Sequence, residues 1–481
     1  HAEHDLFSPV TQTVWWIVAR VARIDGGEGR VELNPAAFHL LNLLVHLGAS
    51  VACLELLHRL IGRRWPAALG ALVFAVHPVQ VEAVCWTAAT KDLLAGLFSW
   101  IALGLFVTTI GLERAGGAVT RLLAGYGLSA LMFILAMLSK PSAVVVPLMG
   151  LILDRWVIGS PWRGVLIRLV VGLGLAMPIA IIAREVQPGH EVATVPVPQR
   201  LLVAADALAF YLWKLIWPVN LTFDYGRTPA KVLAQSWVVM TSAVPVIVAL
   251  VAGLAWKRWR LVPVSGLLLL AGVFPVLGLV PFDFQIYSTV SDHYLYLAMT
   301  GPGLLSAWLA RGVRGAGGVA ILVAIGSVVS ARQVWTWRDL EAVSRQGLHV
   351  NPYSWTSYNN LSAALASKGR IEPAVAAGRK AVELRPDLLI TRQTLCGALT
   401  LQADGLAAQG RYSEAIQVYQ QALEILPSSP GAWTNLAATY AEIKAYDKAI
   451  HAYEKALSFD PSFPAAVEGL NLVRKLQASG G

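Results

Sequence analysis

Ten apolar runs fill most of residues 37–333, at about 37–61, 66–84, 92–112, 120–138, 141–157, 163–184, 236–255, 261–280, 294–310 and 317–333. Most approach the roughly 20 residues a helix needs to cross a bilayer. Inside lipid the backbone must satisfy its own polar groups, so runs of this kind are read as membrane helices. The 66–84 and 141–157 runs are the marginal ones, and either can be re-entrant. A chain that is 56% hydrophobic and 14% charged, with mean hydropathy +0.58, is too apolar for an ordinary soluble protein.

The formal net charge of +9 sits almost wholly in this apolar part. Residues 1–333 hold 24 Lys/Arg against 16 Asp/Glu, and residues 334–481 hold 14 against 13. That distribution argues against nucleic-acid binding and for topology-setting loops. Alternate connections carry Arg59, Arg63 and Arg64; Arg114 and Arg121; Arg155, Arg163 and Arg168; Lys257, Arg258 and Arg260; and Arg311 and Arg314. These 13 basic residues fall in about half the length over which the other connections (77–92, 139–141, 184–235 and 281–293) hold 7. The first set is therefore expected in the cytoplasm, and the second outside it. Residues 1–36 and the segment after 333 then also lie outside. Cys53, Cys85 and Cys396 form no CxxC or Cys/His cluster, so neither a disulfide framework nor a zinc site is implied.

Behind the apolar part, Pro352, Pro386, Pro427 and Pro461 are spaced by 34, 41 and 34 residues. A 34-residue helical period is the tetratricopeptide repeat. Gly369 and Gly410, Ala374 and Ala415, and Ala381 and Ala422 are 41 apart; Tyr419 and Tyr453 are 34 apart. The seven extra residues fall near 400–406, and seven residues are close to two helical turns, which keeps the buried face in register. Repeats are expected at about 355–388, 389–429 and 430–463. A partial leading repeat is expected around Trp337–Gly347, and a capping helix over 464–477. The expected domains are an extracytoplasmic segment 1–36, a membrane domain 37–333 and a repeat domain 334–481. The fold class is all-α: a polytopic helical membrane domain followed by an α-solenoid.

Polar residues gather on the outward turns. The 77–92 turn, HPVQVEAVCWTAATKD, carries His77, Glu82, Lys91 and Asp92. The SKP turn adds Lys140. The turn STVSDHYLYLAMTG adds Asp292, His293 and Tyr294. The long 184–235 connection adds Arg184, Lys214, Asp224 and Tyr225, and its stretch 199–217 reads as an amphipathic helix on the membrane surface. Single charges at membrane helix ends commonly just snorkel to the interface. Carboxylates, lysines and imidazoles gathered on one face can also bind phosphate or move a proton. The candidates for donor or substrate binding are His77, Glu82, Lys91, Asp92, Lys140, Arg184, Lys214, Asp292, His293 and Tyr294.

FSPVTQT (7–13), LNPAAFHLLNLLVH (33–46), FAVHPVQVEAVCWTAATKDLLAGLF (74–98), LSKPSAVVVP (138–147), KLIWPVNLTFDY (214–225) and VSDHYLYLAMTG (290–301) together carry a resemblance. The chain resembles the transmembrane and tetratricopeptide-repeat glycosyltransferases, which are protein O-mannosyltransferases of the GT-C fold, and its composition suggests a bacterial relative. The resemblance implies transfer of a mannose-like sugar from a polyprenyl-phosphate donor to an extracytoplasmic acceptor protein. It implies lysines that neutralise the leaving phosphate and a donor pocket lined by the SDHY segment. The repeats would engage the acceptor. A divalent metal is left open. The family's acidic pair belongs after a first membrane helix. Residues 1–36 offer only the single acids Glu3, Asp5, Asp25, Glu28 and Glu32, so that helix and pair are expected upstream of His1. The resemblance places the protein in the bacterial inner membrane with periplasmic repeats, or in the endoplasmic reticulum with lumenal repeats. Two alternatives remain: a non-catalytic membrane scaffold displaying repeats for envelope assembly, and a glycan ligase or polymerase. The second fits less well, because the polar residues are spread over several turns.

Overall fold

The computed structural model describes residues 7–25, 31–186 and 195–479. Of the acids named above, Glu3, Asp5 and Glu28 lie outside these residues. By its internal contacts the chain divides into two units, His1–Trp337 and Arg338–Gly481.

The first unit runs α1 Pro9–Val21, α2 Pro35–Ile61, α3 Arg64–Val76, α4 Gln80–Cys85, α5 Thr90–Arg114, α6 Val119–Ser139, α7 Val146–Leu153, α8 Trp162–Val186 and α9 Val197–Ile216. It continues with α10 Pro229–Leu233, α11 Val238–Leu254, α12 Leu261–Val273, α13 Leu295–Ala298, α14 Thr300–Leu309 and α15 Val313–Thr336. A two-stranded antiparallel ribbon, Arg23–Asp25 with Val31–Leu33, joins α1 to α2. Among the described residues, six helical segments are long and apolar enough to cross a membrane: Pro35–Ile61, Thr87–Arg114, Val119–Ser139, Pro141–Ile158, Trp162–Val186 and Val313–Thr336. Three more apolar helices are shorter: Arg64–Val76, Val238–Leu254 and Leu261–Val276.

The breaks in the remaining apolar runs have local causes. The 66–84 run is two helices, because Pro78 disfavours helical backbone at His77, which is extended (φ −66°, ψ 132°). The 261–280 run leaves α-helical geometry at Phe274, ahead of Pro275, and continues as a 3-10 turn to Val276. The 294–310 run is split into α13 and α14. Gly301 lets α14 press on the backbone of α12 at Ser265 and Leu269, and Gly70 of α3 lies against Gly303 and Ala307 of α14. Residues such as Val170, Val171, Leu250, Val251, Ile321 and Leu322 are exposed along α8, α11 and α15, as a lipid-facing surface requires.

The second unit is α16 Leu340–Val350, α17 Trp355–Ser367, α18 Ile371–Leu384, α19 Leu389–Ala408, α20 Tyr412–Ile425, α21 Pro430–Glu442, α22 Tyr446–Phe459 and α23 Pro464–Ala478. The helix α19 has 20 residues where α17 and α21 have 13, so the seven-residue excess (20 − 13) lies wholly in the first helix of the middle pair. The small residues Ala374, Ala381, Ala415, Ala422, Ala449 and Ala456 are all fully buried where helices pair. The turns within the three pairs pass through left-handed backbone at Gly369, Gly410 and Lys444 (φ 70°, 75° and 60°). Glycine suits the first two; the third carries a side chain there.

Candidate functional site

The site begins with a buried carboxylate. Glu82 sits in the short helix α4, created by the break at His77–Pro78, and is 3% exposed. Its oxygens accept from Ser291 Oγ (2.9 Å), His293 Nδ1 (2.8 Å) and the Asp292 backbone N–H (3.1 Å). Residues more than 200 positions apart are thereby fastened, and the 3-10 turn Asp292–Tyr294 takes its shape from one side chain. Since Nδ1 of His293 is engaged, Nε2 is the ring nitrogen left to the cavity that this residue lines. The ring lies among Tyr294 (centroids 4.3 Å), Trp86 (5.4 Å) and Phe284 (6.0 Å).

Asp292 is held from the other side. Tyr225 donates to its Oδ1 (2.8 Å), and the Tyr211 hydroxyl accepts from the Ser291 N–H (3.3 Å). Burial, with the Glu82 carboxylate beside it, pushes the Asp292 carboxyl well above the usual range. Burial likewise pulls the Lys214 ammonium down, opposed by the charge of Asp292. Lys214 donates to the carbonyls of Val219 (2.6 Å) and Asn220 (3.3 Å), a fixed post rather than a loose cation.

Asp92, in the first turn of α5, pairs with Lys140 Nζ at 2.5 Å. Lys140 also lies over the Tyr294 ring, 5.1 Å from its centroid. Asp92, Lys140, His293, Tyr294 and Tyr296 line one cavity of about 30 Å³, room for roughly one water. Beneath it His46 Nδ1 meets the Tyr296 hydroxyl (2.8 Å), Phe74 packs edge-on against Trp100 (4.6 Å), and Trp100 donates to Thr300 Oγ1 (2.8 Å). Among the described residues, no group of three His, Cys, Asp or Glu side chains is arranged to hold a metal ion.

Of the sequence candidates, Glu82, Asp92, Lys140, Asp292, His293 and Tyr294 come together, with Lys214 behind Asp292. His77 stands apart in role: its Nε2 bonds to the Leu215 carbonyl (3.1 Å), and burial pulls its imidazole down to about 4. Lys91 is half-buried next to Asp92 in sequence, and Arg184 is exposed near the end of α8. Asp224 caps its own turn, accepting from the Gly226 N–H (2.7 Å). In α9 the charged Asp206 and Lys214 are buried beside Val203, Ala204, Ala207 and Ala209; Asp206 meets Arg227 and Thr241, while Leu201, Trp213 and Ile216, and Trp217 just after the helix, are exposed. Ser291, Tyr211, Asn42 and His46 were not among the candidates. Asn42 donates to the carbonyls of Val84 (3.2 Å) and Trp86 (3.1 Å) and accepts from Thr90 (2.6 Å), tying α2 to the turn that carries Glu82. Two polar residues four apart on one apolar helix, Asn42 and His46, were the available signal.

Fold and site define a polytopic helical membrane protein with a tetratricopeptide-repeat tail. Family models for tetratricopeptide repeats match residues 356–386, 403–444 and 430–463. The fly Protein O-mannosyl-transferase Tmtc3 (Drosophila melanogaster) is 22% identical over 83% of this chain and 51% of its own length. Human Protein O-mannosyl-transferase TMTC1 is 24% identical over 74% of this chain and 46% of its own. Human Protein O-mannosyl-transferase TMTC4 is 38% identical over 14% of this chain and 10% of its own. The chain is similar to these protein O-mannosyl-transferases over its apolar part and its repeats. It spans about half the length of the first two relatives. All three are animal proteins, so the expectation of a bacterial member finds no support in them. Among solved structures, a crystal structure of MamA matches 32% of this chain and 85% of its own at 20% identity, with a TM-score of 0.24, too low to bear on the fold.

Proposed function

We propose that this protein transfers a mannose-like sugar from a polyprenyl-phosphate donor to an extracytoplasmic acceptor protein. The observation that carries the proposal is the convergence of three separated turns, around Glu82–Asp92, Lys140 and Ser291–Tyr294, on one polar cluster. A sugar leaves its lipid as the C1–O bond to phosphate breaks, the acceptor hydroxyl oxygen bonds to C1, and the hydroxyl proton passes to the departing phosphate. The phosphate leaves with the bonding electron pair, and a cation beside it lowers the barrier. Lys140 is the cation assigned that role. Asp92 positions it and is displaced as partner when the phosphate arrives. His293, oriented by Glu82 through Nδ1, lines the same cavity with Tyr294 and hydrogen-bonds the donor. Asp292 is a positioning residue, holding Tyr225 and the turn.

In this reading residues 37–333 are the transferase part, and the repeats in 334–481 engage the acceptor. The loop-charge asymmetry supports the same non-cytoplasmic face for the polar turns and the tail. The animal relatives favour the endoplasmic reticulum membrane.

The test is transfer of radiolabelled mannose from dolichyl-phosphate to protein in membranes carrying this chain. Lys140→Ala should lower transfer by about 10²-fold or more, the scale of losing one preorganised donor at developing charge. Lys140→Arg should restore part of it. Undiminished transfer by Lys140→Ala removes Lys140 from the mechanism. Wild-type membranes that transfer nothing from any polyprenyl-phosphate sugar sink the enzyme reading and leave the scaffold.

A further inference from the structure

A second, larger cavity lies between α5, α6, α7 and α8, at the opposite end of these helices from the polar turns. Its volume is about 420 Å³, within the roughly 300–1,000 Å³ of small-molecule sites. Most of its wall is hydrocarbon, including Leu103, Phe106, Phe133 and Leu175. Ile167 and Val171 line it and are more than half exposed, so it opens on the lipid-facing side of α8.

One end of the wall is charged. Arg168 donates from Nε to Asp154 Oδ2 (2.9 Å) and from Nη1 to Glu113 Oε2 (3.1 Å), and Tyr126 donates to Glu113 Oε2 (2.5 Å). Two carboxylates thus share one guanidinium. Asp154 is fully buried, and its Oδ1 has no hydrogen-bond partner among the described residues. Two carboxylates on one guanidinium leave this end of the wall with an excess of negative charge, which a second cation offsets. A cation with N–H donors, attached to a hydrocarbon that fills the rest of the cavity, matches this lining. The loop charges place this end in the cytoplasmic leaflet, with Arg155 and Arg163 on the same connection.

We propose that this cavity holds an ethanolamine-headed phospholipid of the cytoplasmic leaflet. One chain lies along α6 and α8, and the ammonium donates to Glu113, with the buried Asp154 charge behind it. The phosphate meets the basic residues of the 155–163 connection. A choline head is excluded from this role because its nitrogen carries no hydrogen.

The experiment is native mass spectrometry on the full chain, extracted after reconstitution into vesicles of equal phosphatidylethanolamine and phosphatidylcholine. The wild type should retain the ethanolamine lipid about tenfold over the choline lipid, the ratio that ~1.4 kcal/mol produces. Asp154→Asn and Glu113→Gln should each cut that preference to about threefold or less while total lipid retained stays the same. Ala130→Phe, which fills the apolar part, should lower retention of both lipids. Equal retention by the wild type, or a preference unchanged in Asp154→Asn and Glu113→Gln, overturns the proposal. Glu113 is half-exposed, so its variant remains informative if the Asp154 variant fails to fold.

Discussion

Replacing Glu82 by alanine removes one acceptor from three donors, the Ser291 hydroxyl, the His293 Nδ1–H and the Asp292 N–H, all now within 3.1 Å of its carboxylate; Ser291 Oγ and His293 Nδ1 still have each other at 2.8 Å. Each buried donor left unsatisfied costs ~1–3 kcal/mol, and the three share one turn, so the costs do not simply add. A loss of about 2–4 kcal/mol follows. Domains of 150–250 residues lose about 2–4 °C per kcal/mol, so a shift on the order of 5–10 °C is expected even in this larger unit. The assay is thermal unfolding of the purified protein in nanodiscs, with Glu82→Ala, Ser291→Ala and the double variant. Ser291→Ala alone should cost about 1 kcal/mol, and less in the Glu82→Ala background, where only its contact with His293 Nδ1 remains. Additive effects, or a Glu82→Ala shift below about 2 °C, refute the reading that this carboxylate organises the turn.

Three further outcomes are expected. The Asp292 carboxyl, raised by burial and by Glu82, is neutral in the folded state over a range where the unfolded carboxyl, near 3.9, ionises. Its contribution to stability is present below that unfolded value and is lost as pH rises through the folded one. Asp292→Asn should therefore gain melting temperature on the wild type as pH goes from 5 to 9, and parallel curves would contradict the shift. Gly301→Val drives a side chain into the α12 backbone at Ser265 and Leu269, and should cost about 1–3 kcal/mol or more, read as lost yield and a lower melting temperature. Lys444→Gly relieves left-handed backbone at a turn where the two earlier pairs carry Gly369 and Gly410, and should stabilise the repeat unit by about 0.5–1 kcal/mol in chemical unfolding.

Much of the architecture is legible in the residues alone. The 41-residue step located an insertion of about two helical turns, and α19 is that much longer than its counterparts. Apolar runs gave the position of most helices, because hydropathy is a local property. They did not show which runs stop halfway, since Pro78 and Pro275 act through backbone geometry that hydropathy averages away. For the 199–217 stretch, alternation marked two faces without saying which was solvated. Asp206 and Lys214 turn inward, and Trp213 and Trp217 turn outward.

The polar cluster divides the same way. Residue types and loop charges, read from the sequence alone, put Glu82, Asp92, Lys140 and the 292–294 segment at the same end of the membrane helices. Which of them touch was decided only in three dimensions. Glu82 and His293 are 211 positions apart, and Lys140 and Asp92 are 48. No periodicity links such pairs, because their contact depends on how α4 is turned by the break before it and how closely the small residues let α14 approach α12 and α3. Local chain chemistry sets what an element is and which side of the membrane it faces. Packing sets which buried charges meet, since burying one without its partner costs more than any local preference supplies.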